Sequence, residues 1–106
     1  GTIIIQYSAD SNFTTVVGSA SKLNNHGVVT MPYSLCVTEG IDYYVRAFQD
    51  VGGTKTYTTG SASGRYDGTD SGNGTLTAVN IPVSASSKNI NTKENVDISL
   101  DSKTGI

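Results

Sequence analysis

Three groups of residues in this chain carry side chains of the kind that does chemistry. The first is Cys36 with His26, a thiol and the only histidine among 106 residues. Nucleophilic catalysis needs a base within reach of the thiolate and a third group to orient that base. A lone pair of residues sets no such geometry, and the bland reading of Cys36 is a small buried hydrophobe. The second group is Asp67, Asp70 and Asn73 in "YDGTDSGNG", oxygen donors that could face a cation. Their spacing fits no firm calcium template, and acidic Gly-Ser loops are ordinarily solvated turns. The third is Tyr44, Arg46 and Phe48 in "DYYVRAFQD". Same-face neighbours in a strand lie about 7 Å apart, so these three could present a flat patch to a sugar ring or a peptide. An outer sheet face is the plainer reading, with the guanidinium stacked over cross-strand aromatics. Asp10, Asp42 and Asp97 lie in separate segments and form no visible acid–base pair.

The elements that must hold these groups are strands. Ser and Thr number 27, with 12 Gly and 8 Asn, no Trp and two Phe. Gly and Asn supply turn geometry and Thr suits a pleated surface, so the balance lies against helix. Residues 2–8 put Ile3, Ile5 and Tyr7 on one face, while Ile4 interrupts the other and implies cover there. Phe13 to Val17 reads as a short second strand or edge segment. "KLNNHG" reads as a hairpin reversal. Residues 28–37 alternate with Val29, Met31, Tyr33, Leu35 and Val37 on one parity, and Pro32 makes this an edge strand or a broken one. In "DYYVRAFQD", Tyr43, Val45 and Ala47 face one way. From Asp50 to Gly74 the alternation dissolves, and short strand pieces are predicted near Tyr57 and at Arg65–Tyr66. Val79 to Ala85 and Val96 to Leu100 resume it, the latter pointing Ile98 and Leu100 inward beside Tyr43, Val45 and Ala47. Residues 1–101 read as a single module and 102–106 as a tail. Six or seven short strands with turns between them predict an all-β fold, an antiparallel sandwich of about seven strands with immunoglobulin-like or prealbumin-like architecture.

Charge narrows the function classes. Seven basic and nine acidic residues give −2 with no basic stripe, which speaks against nucleic acid. No run of residues reaches the length of a membrane span. The single cysteine forbids an internal disulfide. No triad, metal cluster or phosphate loop stands out, so no enzymatic activity and no cofactor is expected.

Taken in order, "GTIIIQYSADSNF", "GIDYYVRAFQDVGG", "SGRYDG" and "IPVSASSKNINTKENVDISL" resemble bacterial extracellular β-sandwich modules related to carboxypeptidase regulatory-like, transthyretin-like domains. Residues 69–78 behave like an insertion against that pattern. The fibronectin type III family is the nearest competitor through "DYYVRAF", although this chain has no Trp. The resemblance implies an EF-hand-type loop with Asp50, Gly52, Thr54, Thr58 and Ser61 at its ligand positions. Only one carboxylate survives there, so the loop is expected to hold no metal. The family's usual first edge strand has no counterpart before Gly1, and the chain reads as a piece of a larger protein. The sequons at Asn12 and Asn73 are expected to stand idle in a bacterial setting. The resemblance further implies a secreted or cell-surface location, neighbouring domains of the same polypeptide as partners, and a spacer, display or adhesion role. The alternative is a carbohydrate- or peptide-binding accessory module of a secreted hydrolase, bound through Tyr44, Arg46 and Phe48. By composition alone, "TKTYTTG" is expected to add an edge strand, and an uncovered edge is a place for a neighbouring module to pair.

Overall fold

The computed structural model describes residues 2–23, 32–38, 40–69, 73–80 and 96–101. Among these the regular structure is all strand: β1 (Thr2–Ser8), β2 (Gly18–Leu23), β3 (Asp42–Asp50), β4 (Ser63–Arg65) and β5 (Val79–Asn80). They form one antiparallel sheet in the order β2-β1-β3-β4, with β5 also paired to β3. β1 and β3 are its centre, joined from Thr2↔Asp50 to Ser8↔Tyr44.

The period of two sorts the side chains as the pleat requires. Ile3, Ile5 and Tyr7 from β1 join Tyr43, Val45 and Ala47 from β3, with Tyr66 and Val79, in one buried cluster. Tyr33, Leu35, Val37, Val96, Ile98 and Leu100 pack against that cluster and are partly buried. Residues 32–38 alternate between exposed and half-buried although no ladder is assigned to them. Tyrosine hydroxyls fasten them instead. The Tyr7 hydroxyl donates to the Cys36 carbonyl at 2.6 Å, and the Tyr43 hydroxyl accepts from the Thr38 amide at 3.3 Å. The Tyr33 hydroxyl donates to the Val96 carbonyl and so ties this segment to 96–101.

Where that last segment meets the sheet, Ser63 and Asp101 exchange both main-chain hydrogen bonds. One step along, the chain crosses over Gly64. A Cβ built on Gly64 would lie 2.0 Å from the Ser99 carbonyl oxygen, so only glycine fits there.

β4 and β5 run in one direction along β3. Residues 63–65 face 48–46, the Tyr66 amide reaches the Val45 carbonyl, and residues 79–80 face 43–42. Residues 67–69 leave this ladder and 73–78 lead back to it, and the Thr77 amide donates to the Tyr66 carbonyl at 3.0 Å where they meet.

Several sequence-based expectations are corrected. The second strand is Gly18–Leu23 and not Phe13–Val17. Phe13 adopts φ 53°, outside the strand region, and Val16 and Val17 are exposed. The inward positions of β2 are Gly18, Ala20 and Lys22, a face with no large apolar residue to mark it: the Tyr7 ring fills the space above Gly18, where a Cβ would come within 2.5 Å of the hydroxyl. Cys36 is exposed, not buried, because its parity opposes Tyr33, Leu35 and Val37. No strand forms near Tyr57, whose ring instead packs on Phe48. The expected strand positions 28–31 and 81–85, the hairpin at 24–27, His26, Asp70 and the tail lie outside the described residues.

Candidate functional site

The even-numbered face of β1 and β3 carries Tyr44, Arg46 and Phe48, and two loops fold over it. Phe48 is 0 % exposed. It sits opposite the buried Ile4 in register, and Tyr57 from the loop after β3 covers it edge-on, ring centroids 6.1 Å apart at 78°. Arg46 is half-buried. Its Nε donates to Gln6 Oε1 at 2.9 Å, and its guanidinium carbon lies 4.1 Å from the centre of the Phe13 ring. That geometry is a cation–π contact. Burial lowers the Arg46 guanidinium from its ordinary value. Tyr44 is partly buried, opposite Ser8. The three therefore do not form one open flat patch: Phe48 has no surface to offer, and one face of Arg46 is taken. Arg65, the only other arginine, stands directly opposite Arg46 across the β3–β4 ladder and donates from Nε to the Gly74 carbonyl at 2.6 Å.

Gln6 and Arg65 are members of this face that the sequence reading passed over, although their register with Arg46 follows from the strand pairing. Phe13 and Tyr57 arrive from loops, and no periodicity announces them. Phe13 holds a left-handed conformation that costs a residue with a Cβ about 1–2 kcal/mol. The Asp10 carboxylate stabilises the turn that imposes it, accepting the amides of Asn12 at 2.7 Å, Thr14 at 3.0 Å and Thr15 at 3.4 Å.

The other aspartates are used in the same way. Asp50 accepts the amides of Thr54 and Lys55, both at 3.1 Å. In the same loop the Ser61 hydroxyl donates inward to the Thr58 carbonyl. A single carboxylate with both oxygens on backbone N–H groups does not fit calcium, which takes six to eight oxygens. Asp67 is the most heavily engaged. Its Oδ1 accepts the Thr69 amide and hydroxyl, and its Oδ2 accepts the amides of Asn73 at 3.0 Å and Gly74 at 2.7 Å. The Thr69 donors foremost, with those of Gly74 and Asn73, hold its carboxyl well below the ordinary carboxylate range. Asn73 in turn accepts the Arg65 amide and donates to Asp101 Oδ2. Asp42 accepts from the Asn80 side chain. Among the described residues no three His, Cys, Asp or Glu gather as a metal site would need, and no helix is long and apolar enough to cross a membrane.

Burial, with smaller contributions from Asp97 and Tyr66, pushes the Tyr33 hydroxyl up to about 12. An acid whose folded pKa lies above its unfolded value of about 10 lends stability that is whole below pH ~10 and fades as pH climbs toward ~12. Ultraviolet titration of the phenolates should resolve one tyrosine ionising late, together with loss of the 96–101 docking. Tyr33→Phe should remove that late step.

Compared with protein-family models, curated proteins and solved structures, the chain matches none.

Proposed function

We propose that this chain is a non-catalytic β-sandwich module of a larger bacterial protein, secreted or displayed on the cell surface, acting as a spacer, display or adhesion unit. In this reading the sheet is one layer. Tyr33, Leu35, Val37, Val96, Ile98 and Leu100 belong to the facing layer that completes an immunoglobulin-like or prealbumin-like sandwich. The resemblance to carboxypeptidase regulatory-like and transthyretin-like modules supports that architecture, and the hydroxyl ties from Tyr7 and Tyr43 supply its fastening.

One observation carries the functional half. The side chains best suited to chemistry are spent on holding the backbone in place. Asp10, Asp50 and Asp67 each close a loop through amide donors, and Arg46 is held between Gln6 and Phe13. The Asp67 carboxyl, held well below the ordinary range by the N–H and O–H groups it accepts, is a poor general base. A module that invests its polar groups this way gains rigid loops on a polar surface, which suits a load-bearing or presenting unit. Neighbouring domains of the same polypeptide are its natural partners.

The test is a carbohydrate and peptide array probed with the wild-type module and with Tyr44→Ala, a change at a partly exposed residue of the Arg46 face. A spacer gives no saturable signal for either protein. Saturable binding that vanishes in Tyr44→Ala would replace this reading with an accessory binding module.

A further inference from the structure

Asn73 is followed by Gly74, the neighbour least able to shield a side-chain amide from backbone attack, since glycine has no side chain and the widest backbone freedom. The structure holds both halves of the reacting pair. The Gly74 nitrogen donates to Asp67 Oδ2 at 2.7 Å. The Asn73 amide is gripped at both ends, its oxygen by the Arg65 main-chain N–H at 3.2 Å and its nitrogen by Asp101 Oδ2 at 2.9 Å.

We propose that Asn73–Gly74 is a latent site of spontaneous deamidation, held shut by the Asp67 carboxylate, and that its conversion unlatches residues 96–101 from the sheet. In the open loop the Gly74 nitrogen loses its proton and bonds to Asn73 Cγ. The Cγ–Nδ2 bond breaks and ammonia departs with that proton, leaving a five-membered imide. Water opens the ring to aspartate or isoaspartate, with no change of oxidation state. While Asp67 Oδ2 holds the Gly74 N–H, the nitrogen must first give up that hydrogen bond, so reaction proceeds only from a local opening.

The product matters because of where it forms. In either product the amide that bonded Asp101 is gone, and in the aspartate product a carboxylate takes its place, so that two like charges stand at hydrogen-bond distance. Asp101 is the residue that exchanges both main-chain bonds with Ser63, so repulsion at position 73 falls on the point where 96–101 is fastened to β4.

The experiment incubates the folded protein, the same protein in urea, and Asp67→Ala at neutral pH and 37 °C, and follows Asn73 by peptide mass spectrometry. The folded wild type should deamidate at least about tenfold more slowly than the unfolded chain, equivalent to ~1.4 kcal/mol of opening. Asp67→Ala should rise to within about threefold of the unfolded rate while its β3 amides stay protected from hydrogen exchange. A wild-type rate equal to that of the unfolded chain overturns the proposal, as does a folded Asp67→Ala that reacts no faster than wild type. Should Asp67→Ala lose the β3 protection, Thr69→Val decides in its place. It removes only the hydroxyl donor to Oδ1, and it must give a rate between the two extremes; an unchanged rate counts against the lock. Purified deamidated protein should lose protection at the Ser63 and Asp101 amides, and retention of both refutes the unlatching.

Discussion

Phe48→Ala is expected to lower the unfolding free energy by about 3–5 kcal/mol in urea denaturation, with the slope unchanged. Among the described residues Phe48 is the largest side chain with no exposed surface, so its removal leaves a void that rigid neighbours fill only in part. It lies on the opposite side of the sheet from the main cluster, in register with Ile4 and beneath Tyr57. Loss of Phe48 therefore also removes the anchor of the loop that follows β3. Phe48→Leu keeps most of the volume and should cost less than half as much, and a double-mutant cycle with Tyr57→Ala should return a coupling of about 0.5–1.5 kcal/mol for the ring pair. A loss below about 1 kcal/mol for Phe48→Ala would mean that the even-numbered face is open in solution.

Gly64→Ala is expected to destabilise the protein by about 1–3 kcal/mol, the range of overpacking at a rigid site. The sign is what makes the test sharp. Where the backbone is compatible, alanine for glycine stabilises by about 0.4–1 kcal/mol through the unfolded chain. Gly64 has no unusual φ to forbid the change. The obstacle is the Ser99 carbonyl, 2.0 Å from the new Cβ, with the Ser99 carbonyl carbon at 2.9 Å and Ile98 Cγ2 at 3.0 Å. Two of those three atoms are main chain and cannot rotate away, so residues 96–101 must lift as a segment. Hydrogen exchange should accelerate at Ser63 and Asp101 before it does so in β1 or β3. Gly52→Ala is the control, because its nearest neighbour is Thr54 Cγ2 at an ordinary 3.6 Å, and it should lie within about 0.5 kcal/mol of wild type. A neutral or stabilising Gly64→Ala would show that the two segments do not meet there.

What could be read from the sequence was whatever obeys the pleat. Ile3, Ile5, Tyr7, Tyr43, Val45 and Ala47 have a parity that any pleated strand must honour, and the same rule placed Ile98 and Leu100 beside them. β2 could not be read in this way. The inward face of "GSASKL" is Gly18, Ala20 and Lys22, and the ring that fills it at Gly18 is Tyr7 on the next strand, a long-range fact with no local sign. The Tyr44, Arg46 and Phe48 face was legible as a face but not as a covered one. Alternation reports which side a residue takes, while cover comes from Phe13 and Tyr57 in loops whose paths the pattern does not specify. The aspartates were legible as oxygen donors. That they accept amides from residues two to seven positions onward depends on loop conformations that their own carboxylates help to set.

The interrupted strand has one more consequence. β4 and β5 keep step along β3 as though nothing lay between them, and the excursion is pinched off at Tyr66 and Thr77. Sheet register is thus deaf to how much chain is spent between those two residues. Each doubling of that chain would add only about 0.6 kcal/mol of closure entropy. Evolution, or a protein engineer, could swap in a longer segment at this point and present it to the surroundings without reshuffling a single inward-facing residue.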